Sequence, residues 1–369
     1  MTAAVLTDRE LNRALLARQL LLERKRMTVL TALERIAGLQ AQHGPSPHIA
    51  LWSRVDGFRP EQLDRALAGR KAVKATLMRV TLHIVSTRDY YAFEPALRIA
   101  RRSWWADIAP RVGVEFDFDE IGRRTLELVG AGDRAPEELK QLVLSLAKGP
   151  APSSGFHWRL AVGSASLVHT PPSGFWGHHG PGRFASDAGW LGRAVTPEDD
   201  DVRLLVRRHL GAFGPATRGD VSSWSGFPVT TLAPGFEGLK LQEYRDERGR
   251  RLYDLPRRPL PPADTRPPVR FLPKWDSTLL AFEAPERTRI LAERYRKTVI
   301  RKNGDVLPTF LIDGFVAGSW SVKRTAKVAT LLLDAFEPVP RAWKRELLEE
   351  GERLLRFLEP DAPAYKVQV

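Results

Sequence analysis

Along this chain the spacing of apolar residues switches repeatedly between the 3.6-residue period of an amphipathic helix and the two-residue alternation of a half-buried strand. The switches come in a recurring order of two or three short helices, a strand and a turn. The third occurrence is the clearest. Thr196-Pro197-Glu198 opens a helix in cap-then-proline order, residues 202–210 continue it, and Gly211 and Gly214 mark its end. Thr217 caps a second helix over 218–224, Gly226 breaks it, and Pro228 begins a third that runs toward Pro234. Residues 239–244 then alternate with period two, 247–250 turn, and 251–255 return as the partner strand. Three helices followed by a basic hairpin is the winged-helix plan. The first occurrence has helices over 11–22 and 28–37 and a strand over 79–85. The middle one has helices over 117–128, 136–146 and 158–165, a strand over 167–169, and a Gly/Pro/His-rich loop over 171–182. Beyond the proline-rich stretch 256–268 the pattern turns to strands. There Asp313-Gly314 between 310–312 and 315–317 gives a two-residue type I′ hairpin, and 320–322 and 328–333 form a second hairpin with Lys323, Arg324 and Lys327 at or near its tip. The expected fold class is α+β, with three tandem winged-helix units (1–95, 96–195 and 196–260) followed by a β-rich C-terminal region (269–369).

At 369 residues the chain is long enough for two or three compact units, and 43% hydrophobic with 27% charged residues is an ordinary globular composition. A formal net charge of +13 changes the picture more, because Lys and Arg displace counterions from phosphates and supply sequence-independent nucleic-acid affinity. The competing explanation of the charge is an Arg-rich composition solvated evenly over the surface. Several winged helices in one chain favour nucleic acid, since their later helices and wings fit grooves, although winged helices also serve as protein-interaction modules. Zero cysteines exclude disulfides, thiolate catalysis and cysteine-ligated zinc, and the eight histidines show no HExxH spacing, so neither a metal nor another cofactor is expected. The start of the chain lacks the basic stretch and apolar run of a secretory signal, and no segment approaches the roughly 18 apolar residues of a membrane span. A cytoplasmic protein with no membrane partner and no obligate protein partner is therefore expected.

Candidate chemistry centres on Gln40 and Gln42. Gly38 stops the preceding helix, and residues two apart in an extended segment project to the same side, so the two amides point together. Each glutamine offers a carbonyl acceptor and an NH₂ donor, and the pair can hold a water or grip a sugar and phosphate; alternatively the amides only satisfy buried backbone groups at a helix end. On the expected strand 79–85, alternation places Val80, Leu82 and Ile84 on the core side and Arg79, Thr81 and His83 on a polar face that can line a DNA groove. Trp104-Trp105, flanked by Arg101 and Arg102, suits either base stacking or core packing.

With these features the chain resembles the winged-helix DNA glycosylases of the AlkZ type, bacterial enzymes linked to resistance against DNA-alkylating natural products. The resemblance spans nearly the whole chain and rests on the segments 38–42, 77–83, 272–276 and 307–314, of which the last three can be structural. A related branch carries Gln-x-Asp, so Gln42 resembles the QxQ branch, associated with unhooking of bulky crosslinks such as those of azinomycin. The resemblance implies that Gln40 and Gln42 are catalytic and that a β-hairpin in the DNA cleft is essential, mapped here onto 322–328. It also implies double-stranded DNA containing alkylated bases as partner. An N7-alkylated guanine already carries a positive charge and departs as a neutral base, so positioning by neutral amides suffices, and without a Schiff-base lysine a monofunctional hydrolase is expected. The alternative is a multi-winged transcription or architectural DNA-binding protein.

Overall fold

In the computed structural model, which describes residues 4–150, 155–196, 198 and 200–369, the strands are β1 (Val5–Leu6), β2 (Leu39–Gln40), β3 (Ala72–Thr76), β4 (Leu82–Ser86), β5 (Leu167–Thr170), β6 (Arg183–Ser186), β7 (Gln242–Asp246), β8 (Arg251–Asp254), β9 (Arg270–Leu272), β10 (Thr309–Ile312), β11 (Phe315–Arg324), β12 (Ala329–Ala335) and β13 (Tyr365–Gln368). They form three sheets, ordered β1-β7-β8, β2-β4-β3-β5-β6 and β13-β12-β11-β10-β9. Both helices and sheets are present throughout, an α+β architecture.

Local signals set most of these elements. Thr28 caps the helix Val29–Arg35, and Thr217 forms a capping box on the helix Arg218–Ser225. The helix Pro136–Leu146 begins at its proline, whose missing N–H is harmless in a first turn. The helix expected to open at Thr196-Pro197-Glu198 is Asp201–Phe213, and Pro197 lies outside the described residues. In the tight turn between β10 and β11, Asp313 (φ 49) and Gly314 (φ 81) both adopt the positive φ of a type I′ turn. A Cβ at Gly314 would lie 2.5 Å from Asn12 Oδ1, so the turn docks closely on the first helix, Asp8–Arg18.

Tertiary packing departs from a row of separate units. The helix Thr87–Val112 runs unbroken across the expected boundary at 95/96. β3 pairs with β5 at Ala75 and Val168, which joins strands of the first two expected units in one sheet. β1 pairs in parallel with β7, so the start of the chain completes the sheet of the third. One apolar core accordingly contains Leu15, Phe93, Val168, Phe213, Trp224 and Leu311. The strand expected over 79–85 is shorter. Arg79 (φ 54, ψ 25) lies in the one-turn helix Met78–Val80, and only Leu82 onward is extended, because Arg79 and Val80 (φ 57) both bend into the left-handed region. The C-terminal sheet carries the amphipathic helix Arg341–Leu358, which buries Leu347, Leu354 and Leu355 against it.

Candidate active site

The helix Val29–Arg35 ends in a left-handed pair, Ala37 (φ 59) and Gly38 (φ 81), and the Gly38 N–H donates back to Leu33 O at 2.9 Å, a Schellman closure. Glycine is required here, since a Cβ at Gly38 would stand 2.6 Å from Val85 Cγ1. The chain leaves this turn fully extended. Leu39 pairs with Ile84, Gln40 pairs with His83, and Ala41 N–H donates to Leu82 O at 2.7 Å. Leu39 and Ala41 face the core, so Gln40 and Gln42 project together on the opposite side, as the spacing indicated.

The two amides are joined and directed. Gln40 Nε2 donates to Gln42 Oε1, and Arg79 Nη2 donates to Gln40 Oε1 at 2.9 Å. A guanidinium has donors only, so it must meet the Gln40 carbonyl; the Gln40 NH₂ then has to meet the Gln42 carbonyl. The result is a relay of fixed polarity, from Arg79 through Gln40 to Gln42. It leaves the NH₂ of the exposed Gln42 and the second lone pair of its Oε1 toward solvent, whereas Gln40 is 5% exposed.

Arg79 is anchored from behind. Its Nη1 donates at 2.7 Å to Trp224 O, one of the last carbonyls of the helix Arg218–Ser225 that lack an intrahelical partner, at the end where the helix dipole favours a cation. Gly226 (φ 88) lets that helix end approach, since a Cβ there would already touch Arg79 Cα at 3.4 Å. Burial, and then the nearby charge of Arg287, lowers the Arg79 pKa to about 10, so it is charged at neutral pH. Arg79 and Trp104, which is 43% exposed, also line a hollow of about 190 Å³, whereas Trp105 is buried in a separate core.

His83 requires a correction. It was expected on a groove-lining face, but its side chain is 1% exposed. β4 is an interior strand of its sheet and is covered on both faces, so alternation does not separate wet from dry here. His83 Nδ1 lies 3.0 Å from Thr81 O, and burial first, then Arg79, lowers its pKa to about 3, which keeps it neutral. The expected exposure of Arg79 is corrected in the same way, because its guanidinium is occupied by Gln40 and Trp224.

A second group beside the glutamines escaped the sequence reading. Lys274 Nζ pairs with Asp305 at 2.7 Å, and both charges act on His43, the residue after Gln42, whose pKa is lowered by burial and then by Lys274. The 272–276 segment thereby acquires roles: Asp276 forms a fully buried bidentate pair with Arg54 (2.8 and 3.0 Å), and Trp275 Nε1 donates to Gly304 O at 2.8 Å. The expected hairpin residues Lys323, Arg324 and Lys327 are exposed, and Arg324 Nε lies 3.4 Å from Glu359. β10 pairs with β11 from Thr309 opposite Ser319, whereas β11 and β12 stay paired out to Arg324 and Ala329, so this tip extends past the end of β10. Among the described residues no group of three or more His, Asp or Glu is placed to hold a metal, and no helix is long and apolar enough to cross a membrane.

This geometry can be set beside known proteins. The chain is 26% identical over 353 residues to the interstrand DNA cross-link repair glycosylase of Streptomyces sahachiroi, covering 89% of this chain and 91% of that protein. The solved structure of Streptomyces sahachiroi DNA glycosylase AlkZ superposes with a TM-score of 0.80 at 20% identity, covering 99% of each chain, which shows a shared fold. A family described as DNA glycosylase AlkZ-like matches residues 33–357, a span that includes Gln40, Gln42, Arg79 and the 322–328 hairpin. The chain therefore belongs to the AlkZ-like DNA glycosylase family.

Proposed function

We propose that the protein is a monofunctional DNA glycosylase that hydrolyses the N-glycosidic bond of N7-alkylated purines in duplex DNA and unhooks interstrand crosslinks. The observation that carries this reading is the Arg79–Gln40–Gln42 relay, which points a preorganised amide outward from a rigid turn. The amide can clasp a water through an N–H donated to its oxygen and a carbonyl lone pair accepting its hydrogen. In the reaction the alkylpurine leaves with the glycosidic electron pair, which neutralises its ring cation. The water oxygen then bonds to the sugar C1′, and its surplus proton passes to solvent. No strong general acid is needed for such a leaving group, so positioning carries the catalysis.

On this reading the helices followed by a hairpin act as winged-helix DNA-binding units, Lys323 and Lys327 contact backbone phosphates, and the enzyme works in the cytoplasm, where chromosomal DNA is reached. A purely DNA-binding role would leave the directed amides without a task. The test is release of free base from duplexes carrying N7-methylguanine or a nitrogen-mustard crosslink, with borohydride added. Free base, an intact sugar–phosphate backbone and no trapped protein–DNA adduct are expected. Tight binding without base release overturns the proposal, and a borohydride-trapped adduct overturns its monofunctional part.

A further inference from the structure

The far end of β4 holds a second polar feature. That strand runs from Leu82, beside the glutamines, to Ser86, and Arg88 follows two residues later in the first turn of the helix Thr87–Val112. There a hollow of about 280 Å³ is walled by Arg35 at the end of the helix Val29–Arg35, by Arg207 on the helix Asp201–Phe213, and by Arg258 from the proline-rich stretch, over a floor that includes Arg18.

The carboxylates around this hollow are already engaged. Arg18 takes both oxygens of Asp254 at 2.7 Å, Arg208 holds Asp89 at 2.6 Å, and Glu34 lies 3.6 Å from Arg208 and 3.9 Å from Arg88. Among the described residues, the Arg35, Arg207 and Arg258 side chains have no carboxylate within ion-pair distance and no hydrogen bond, and all three are solvent-accessible. Their charges act on one another: the Arg258 pKa is lowered by burial first and then by Arg18, and although the Asp254 carboxylate raises it, Arg207 and Arg35 lower it further. Exposed guanidinium groups ordinarily spread apart or pair with carboxylates. Three that converge unpaired on a concave surface are a repulsive arrangement that a multiply charged anion relieves, and the planar five-donor fork matches phosphate oxygens.

We propose that this hollow is a phosphate-binding site, separate from Gln40 and Gln42, that takes the phosphates of a multiply phosphorylated ligand. The phosphates can belong to the DNA backbone beyond the excision site or to a free oligophosphate, and the test separates these sources. The probes are inorganic tripolyphosphate, followed by calorimetry and thermal shift at low salt, and duplexes of about 12 and 30 base pairs. The variants are Arg35→Gln/Arg207→Gln/Arg258→Gln and, should the triple variant fold poorly, Arg207→Gln alone. Tripolyphosphate binding to the wild type that weakens at least tenfold in the variant, with both duplexes bound as before, identifies a free oligophosphate. Reduced affinity for the long duplex only, with the slope of log affinity against log salt smaller by up to about 3, identifies backbone phosphates. Base release from the short duplex is expected to be unchanged, so a failed glycosylase assay does not bear on this site. Equal tripolyphosphate binding by wild type and variant, or none by either, together with unchanged binding of both duplexes, overturns the proposal.

Discussion

Replacing Arg79 by Met separates a positioning role from a DNA contact. Met retains much of the side chain's bulk and removes the guanidinium that donates to Gln40 Oε1 at 2.9 Å and to Trp224 O at 2.7 Å. A hydrogen bond from a charged donor is worth about 1.5–3 kcal/mol, which biases the Gln40 amide between its two orientations by about 10- to 150-fold. Without it, the orientation that hands an NH₂ to Gln42 becomes one of several, and the single-turnover rate of base release should fall about tenfold. Stability should change by less than about 3 kcal/mol, because the two lost bonds are partly offset by no longer burying a cation whose pKa burial has lowered to about 10. Since the guanidinium is already occupied, the salt slope of DNA binding should not move. The assays are single-turnover release of N7-methylguanine, duplex binding across a salt series, and urea denaturation. A wild-type rate with a salt slope reduced by about one would show that Arg79 holds a phosphate and would refute the relay.

Other consequences follow from the same structure. Gln42→Asp keeps an acceptor for Gln40 Nε2 but removes the outward NH₂; release of a small cationic base should survive in part, while unhooking of a crosslink should fall further, as gel assays on both substrates can show. Lys323→Ala/Arg324→Ala/Lys327→Ala should reduce the salt slope by about two rather than three, because Arg324 is partly engaged by Glu359, and an unchanged slope would place the DNA-engaging hairpin elsewhere. Asp276→Ala strands Arg54 without its buried partner and should cost about 3–5 kcal/mol in urea denaturation, so a loss under 1 kcal/mol would contradict the buried pair. His83 and His209, with pKa values lowered by burial to about 3 and about 4, bind protons more readily when unfolded; their stabilising effect is complete above the ordinary histidine value and is lost as pH falls toward the folded values. Each should remove about 2 kcal/mol between pH 7 and pH 5, and in His83→Gln that dependence should shrink by one group's share.

The parts of the fold that were legible in the sequence are those fixed over a few residues. Thr217 as a cap, Gly38 as a stop and Asp313-Gly314 as a turn each act through local backbone geometry, and each element stands where those residues put it. The placement of Gln40 and Gln42 on one side is local in the same sense, since it needs only two residues of extended chain. Features set by distant partners were hidden. Arg79 reads as a strand residue because Val80, Leu82 and Ile84 alternate, yet its left-handed turn is held by the carbonyl of Trp224, 145 positions along the chain. His83 looked exposed because period two assumes one wet face, and a strand covered on both sides breaks that assumption. The Lys274–Asp305 pair beside His43 likewise joins residues that share no motif. The helix Arg341–Leu358 was a different case. Leu347, Leu354 and Leu355 carry the helical period openly, but the neighbouring strand signals drew the whole region toward β structure.

The most direct test of the account is single-turnover release of N7-methylguanine from a duplex by the wild type, Gln40→Ala, Gln42→Ala and the double variant, with DNA binding measured in parallel. Loss of one preorganised hydrogen-bonding group at a transition-state site predicts rates lower by about 10² to 10³ in each single variant, and a double variant little worse than the poorer single, because the two amides act as one unit. Binding should be nearly unchanged, since neither side chain carries charge. Near-wild-type release in both single variants would contradict the claim that this amide pair carries the chemistry.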